Sequence, residues 1–301
     1  MKYRERDYPE ASEGIMESWY TFAVMSLFFM GTQRFLYKVS AERRCNTAWT
    51  TFSFMATVAL LSSVLFLFLQ EPVTDVFFLV FIALVNSASF LAATLTHIES
   101  LKRIPSSVAY PIIRLNAVIV VIFSILYFKD RLSFYQVTGI VLAMAVMVLL
   151  TRQLDPAQAP SRDLRRGLVF VFISLLAGAV ASISSKFAAL HTNKLAFIAL
   201  SYIIATVSSF AVRDRFQTDE ADTNHRDALI IGFVMGLINL AGYYSFLKAL
   251  SMGPLSLIVS ITGMHFVIAV ILSVIVYREK LTLSRILGIV LTVLSIGLMR
   301  L

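Results

Sequence analysis

One cysteine, seven prolines and twelve glycines are all that 301 residues carry of these types. A single thiol, Cys45, excludes an internal disulfide, so neither a stapled fold nor dithiol redox chemistry is available. Charge is sparse as well: charged residues make up 15% of the chain, below the roughly 25% usual for soluble domains. Acids are the scarcer sign, 18 against 26 Lys and Arg, and every Asp and Glu falls in a tail, a loop or the last turn of an apolar stretch. Four histidines show no metal-ligand spacing, and there is no H-E-x-x-H, no G-x-x-x-x-G-K-S/T phosphate loop and no pair of acids inside an apolar run. An enzyme, a primary pump, a bound metal and any other cofactor are therefore not expected. The net charge of +8 comes without a nucleic-acid motif and fits basic loops, so no nucleic-acid partner is expected.

What the chain does have is hydrophobic length. Hydrophobic residues reach 58%, and the mean hydropathy of +0.80 exceeds what a soluble core can bury. Because about 20 apolar residues cross a bilayer, the runs predict ten membrane spans, over 19–38, 47–69, 76–98, 104–128, 132–151, 167–190, 195–212, 228–250, 254–277 and 281–299. The runs are continuous without two-residue alternation, and lipid offers backbone groups no partner, so helices are expected rather than barrel strands. Residues 1–18 read as a solvated tail, lacking the order of a cleaved signal peptide, and 152–166 as a polar linker at the chain's midpoint.

The two halves match each other. Laid over one another at an offset of 149, residues 83–150 and 232–299 share 18 identities in 68 positions without a gap. Pro105 falls on Pro254, Ser107 on Ser256, Ser124 on Ser273, and Lys129-Asp130-Arg131-Leu132 on Arg278-Glu279-Lys280-Leu281. At an offset of 148, Lys38 falls on Lys186, Ala48 on Ala196 and Ser53 on Ser201. Each half, 19–151 and 167–301, thus holds five spans. An odd repeat enters the membrane in opposite senses in its two copies, which predicts an all-α, inverted-topology architecture.

With these features the chain resembles the drug/metabolite transporter superfamily in its ten-helix form with two EamA-type repeats. The resemblance rests on a glycine followed by a lysine in each first helix, Gly31 with Lys38 and Gly178 with Lys186. It rests equally on the short charged turn before each last helix, followed by Gly139 and Gly288. It implies a pore between the halves, lined strongly by the third and fourth helix of each. Small multidrug exporters, similar to one such repeat, carry a proton-coupling glutamate in the first helix, where this chain has Gln33 and Arg34.

Five basic residues lie inside the spans: Arg34, Lys38, Arg114, Lys186 and Lys248. A charge at bilayer depth costs at least about 2.5–3.5 kcal/mol on insertion scales, so such cations call for a water-filled cavity or an anionic guest. Arg114 follows Ile104 by ten residues, about 15 Å of helix and close to the midplane. Pro111 before it can open the helix, and Tyr110 can offer a ring and hydroxyl. A guanidinium binds carboxylate or phosphate through two parallel bonds; the alternative is an arginine satisfied by helix-end carbonyls. Asn116 falls on His265, two polar groups expected to face one central volume, and His265 can titrate for proton coupling. Tyr243, with Tyr244, Asn239 and Lys248, is a further candidate lining group. Arg34, Lys38, Lys186 and His97 are expected at cavity mouths or in coupling, with snorkelling or interfacial placement as the alternative for the lysines and His97. Trp19 and Trp49 read as interface anchors.

The expected function is a secondary transporter of a small polar or anionic metabolite, an amino acid or other carboxylate, working by alternating access. Alternatives are a flippase or transporter of a lipid or phosphate-bearing head group, a carrier of a cationic metabolite through an aromatic cage, and a non-transporting receptor. The expected partners are a small anionic or zwitterionic solute, membrane lipids and a coupling proton. The expected location is a bacterial inner (plasma) membrane. Orientation signals conflict: loops on the side of the termini hold 7 Lys and Arg against 14 opposite, favouring external termini, whereas the resemblance implies cytosolic ones.

Overall fold

The structure is a computed structural model that describes residues 13–43, 45–70, 72–101, 103, 109, 112–151, 164–212, 225–278 and 282–301. Tyr110, Pro111, Pro105, Ser107, Glu279 and the greater part of the tail and linker lie outside them. Where it is described, every expected span is helical, and there is no strand among the described residues. The first repeat holds α1 (Glu13–Glu42), α2 (Thr47–Leu69), α3 (Val76–Leu101), α4 (Asn116–Phe123) continued by a π-helical turn Ser124–Phe128, and α5 (Phe134–Thr151). The second holds α6 (Leu164–His191), α7 (Lys194–Val212), α8 (His225–Met252), α9 (Leu255–Gly263), α10 (His265–Tyr277) and α11 (Leu283–Arg300).

Six helices are long and apolar enough to cross a membrane by themselves, and Ile112–Phe128, Phe134–Leu149 and Lys194–Ser208 are shorter apolar helices. The remaining span, α1, is 30 residues long but carries Gln33, Arg34 and Lys38 in its second half. The protein is an all-α, polytopic membrane protein. Its outer faces are apolar where a soluble protein's are not: Phe77 is 83% exposed and Phe134 80%. Side chains stop the helices at the rims. Asn46 accepts from the Trp49 amide at 3.1 Å, and Ser133 and Gln136 exchange bonds of 3.1 and 3.2 Å in a capping box that starts α5.

The duplication is visible in the backbone. Lys129 and Arg278, 149 residues apart, both take left-handed conformations, φ 56° and 52°, to end the fourth span of each repeat. Each fourth span is also broken at the same place. Leu115 and Met264, again 149 apart, have ψ of −7° and 8°, and their amides reach back three residues, to Ile112 at 3.0 Å and Ile261 at 3.1 Å. Such tight turns interrupt the four-residue ladder. Pro111 is not the general cause, because its counterpart before the second break is Ser260.

Packing joins the repeats to each other rather than within themselves. α1 lies along α8 as α6 lies along α3; α2 packs on α7, α5 on α11, and α4 crosses α9. These are the exchanges that a two-fold axis in the membrane plane makes between inverted copies. The agreement is not complete. α8 packs extensively on α2 and also touches α6, whereas the equivalent α3 covers less of α7 and barely meets α1 among the described residues.

Candidate functional site

The broken fourth helices and the second half of α1 converge on a group of basic side chains. His265 opens α10 just past its break, and its Nδ1 lies 2.7 Å from the Thr262 carbonyl oxygen. A carbonyl oxygen only accepts, so Nδ1 carries the proton and Nε2 is left with its lone pair. That Nε2 is buried and has no hydrogen-bond partner among the described residues. His265 lies within electrostatic range of Arg34 from α1 and Arg114 from the fourth span. His97, from α3, lies within range of the same two guanidiniums.

Aromatic rings hold the guanidiniums. Arg114 Cζ sits 5.6 Å from the centre of the Phe266 ring and Arg34 Cζ 5.7 Å from that of Tyr37, distances at which a cation is attracted to a ring face. Arg34 and Tyr37 remain exposed, although Arg34 lies within electrostatic range of the half-buried His265. Glu99, the acid nearest this group in sequence, is paired with Arg103. Two guanidiniums and two imidazoles meet here, and no acid among the described residues is within electrostatic range of either histidine.

Beside this group lies a neutral polar network drawn from both repeats. Asn239 of α8 donates to Gln33 Oε1 of α1 at 2.8 Å and accepts from the Tyr202 hydroxyl of α7 at 2.6 Å. Asn86 of α3 donates to Ser184 and Ser185 of α6 at 2.9 and 3.1 Å, and Ser185 lies 3.1 Å from the Tyr243 hydroxyl. Tyr202 and Tyr243 meet edge to face with centroids 6.1 Å apart. Tyr202 is also within electrostatic range of Arg34 and Tyr37. The network therefore joins the basic group to the centre of the bundle.

Of the residues singled out in the sequence, Arg34, His97, Arg114 and His265 come together, and Tyr243 joins the adjacent network. Asn116 does not share the His265 surroundings: it faces α6, where a β-carbon added to Gly178 would stand 2.9 Å from its Nδ2. Lys38 stands over the Tyr277 ring at 5.0 Å, at the α10 end. Lys186 is not at a mouth but buried, its ammonium donating to the carbonyls of Leu250 at 2.6 Å and Gly253 at 2.8 Å. Sequence symmetry alone does not separate these two lysines. Trp19 likewise corrects the expectation of an interface anchor: it is 6% exposed and packs against Gly253, whereas Trp49 is 44% exposed.

Sequence reading passed over Tyr37, Tyr202, Asn86 and the two serines of α6. The three-residue step from Arg34 to Tyr37 on one helix face was a signal for the first. Serine, tyrosine and asparagine on different helices carry no signal until the helices are assembled.

Comparisons with known proteins follow the same lines. The model of the EamA-like transporter family matches residues 17–152 and again 165–301. No curated protein matches the chain. A solved crystal structure, described only as that of a protein, is similar in fold, with a TM-score of 0.75, 13% identity, and coverage of 93% of this chain and 97% of that one.

Proposed function

The chain belongs to the EamA-like transporter family, and from that premise we propose that it is a secondary transporter of small anionic or zwitterionic metabolites, with Arg114 and Arg34 as the anion-binding pair. It is an integral, multi-pass membrane transporter of the drug/metabolite superfamily; the finer reading concerns its cargo. The observation that carries it is the meeting of two guanidiniums of the first repeat, from α1 and the fourth span, beside an imidazole of the second repeat with an open nitrogen. Two like charges at this depth repel each other and lose hydration, and a carboxylate held between them offsets both costs. Amino acids and other carboxylates fit this chemistry, with the amides and hydroxyls of the neighbouring network available to the uncharged part of the solute. His265 Nε2 is placed to take a proton as the anion arrives, so that the solute crosses with a proton. The halves then rock about the site so that it faces each side in turn.

The test is a thermal-stability screen of purified wild-type protein beside Arg114→Ala, against amino acids, organic acids, phosphate esters and quaternary amines. A ligand stabilises by RT ln(1 + [L]/Kd), so weak ligands become visible at high concentration. Carboxylates should raise the melting temperature of the wild type and not that of the variant. Stabilisation by phosphate esters alone would move the cargo to head groups and phosphorylated solutes. Stabilisation by quaternary amines alone, or equal shifts in both proteins, removes Arg114 from the site.

A further inference from the structure

The turn between α8 and α9 is gripped by three other parts of the protein. α9 begins after Pro254, whose side chain makes no cap, so the amides of its first turn need acceptors from elsewhere. Asp130 supplies one from the opposite repeat: its Oδ2 accepts from the Ser256 amide at 3.2 Å and the Ser256 hydroxyl at 2.7 Å, and also from the Ser124 hydroxyl. On the other side of the turn, Lys186 donates to the Leu250 and Gly253 carbonyls at the end of α8 and stands 5.6 Å from the Phe128 ring. From α1, Trp19 packs on Gly253, and Ser18 Oγ lies 3.7 Å from Met252 Sδ.

An anion thus sits at a helix N-terminus and a cation at a helix C-terminus, each matching the partial charge there. Few arrangements could fix one turn against both repeats so fully. At the opposite end Lys38, the counterpart of Lys186, lies over the Tyr277 ring rather than on a helix end, and the repeats meet there through Arg43 with Asp227 and the Ser53 hydroxyl with the Leu229 carbonyl. The basic group reaches exposure through Arg34 and Tyr37, on the half of α1 that runs to this opposite end. A solute leaving at the α8–α9 end meets the gripped turn.

We propose that Asp130 and Lys186 form the latch that holds the α8–α9 end of the transporter shut, and that each transport cycle passes through its release. The latch works through charge set against helix ends, and Asp130 and Lys186 also lie within electrostatic range of each other across the turn. Both grips act on one turn, and loss of either loosens the same gate. The acidic turn of the first repeat therefore reaches into the second repeat while it also holds Ser124 of its own.

The test needs no transported solute, so its failure leaves the anion-site reading untouched, and failure of that reading leaves the latch untouched. Cys45 is the single cysteine, and a Cys45→Ser background lets one reporter thiol be read at a time. Leu257→Cys, at a position 1% exposed in α9, reports the shut end, and Tyr277→Cys, at an exposed position, reports the other. With Asp130 intact, the thiol at 257 should react slowly with a maleimide and that at 277 quickly. Asp130→Asn and Lys186→Met should each speed reaction at 257 by about tenfold and slow it at 277, the reciprocal change that a shift between two states requires. Asp130→Glu should restore the original pattern. Unchanged rates at both positions, or rates raised at both as in general loosening, would overturn the latch. Should Lys186→Met fail to fold, Asp130→Asn and Ser256→Ala keep the comparison decisive.

Discussion

Gly31 of α1 lies against the backbone of His265 in the opposite repeat: a β-carbon on the glycine would stand 2.5 Å from the His265 carbonyl oxygen and 2.4 Å from Ile268 Cβ. Neither atom can move without moving α10. The equivalent glycine of α6, Gly178, meets the end of a side chain instead, Asn116 Nδ2 at 2.9 Å, and an amide can turn away. Gly31→Ala should therefore cost about 1–3 kcal/mol, the usual range for overpacking, and Gly178→Ala clearly less. Melting temperatures of the two variants in detergent check this. Equal losses would mean that the break at Met264 gives way as readily as a side chain.

Asn239 satisfies two buried groups at once, Gln33 and the Tyr202 hydroxyl. Replacing it by alanine leaves both short of a partner, at about 1–3 kcal/mol for each buried polar group left unsatisfied. Once Gln33→Ala has been made, part of that loss is already incurred. The double variant should be more stable than the sum of the single losses predicts, by at least about 0.5 kcal/mol. A cycle of four melting curves reads the coupling; strict additivity would show that the network is not cooperative.

The architecture was legible in the sequence for a physical reason: lipid forces each span to be a continuous apolar helix, and an odd duplicated unit must invert. Which way a side chain faces was not legible to the same degree. Lipid and protein interior are both apolar, so a span shows no clean apolar stripe, and Trp19 and Trp49 look alike at span edges although only Trp19 is buried. Lys38 and Lys186 look alike for another reason. The repeat equates them, but Lys186 grips a helix end whereas Lys38 stands over the Tyr277 ring. Arg114 and His265 stood out in the sequence because a charge or an imidazole in mid-span has few explanations, and the structure brings the two within electrostatic range.

His265 also sets the expected response to pH. The charged groups within electrostatic range of it are Arg34 from α1 and Arg114 from the fourth span, and on the proposed reading its open Nε2 takes the proton that crosses with the anion. Uptake of a carboxylate into proteoliposomes should therefore rise as the pH on the loading side falls, and His265→Asn should flatten that dependence. Asn is the residue at the matching position of the first repeat, Asn116, so the substitution keeps a polar group of compatible size. A dependence of equal steepness in the variant would transfer proton coupling to another group.

Trp19 offers the sharpest test of the packed end. It is buried against Gly253, where a β-carbon would stand 2.6 Å from Trp19 Cγ. Trp19→Ala should cost about 3–5 kcal/mol, as large core truncations do, whereas Trp49→Ala, at an exposed position, should cost within about 0.5 kcal/mol of nothing. Gly253→Ala forces its methyl into the indole and should destabilise the wild type. In the Trp19→Ala background the same methyl enters the space the indole has left, so its cost should vanish or change sign. Melting temperatures of the single and double variants measure that coupling. A Gly253→Ala penalty of the same size in both backgrounds would mean that something other than the Trp19 ring confines the turn.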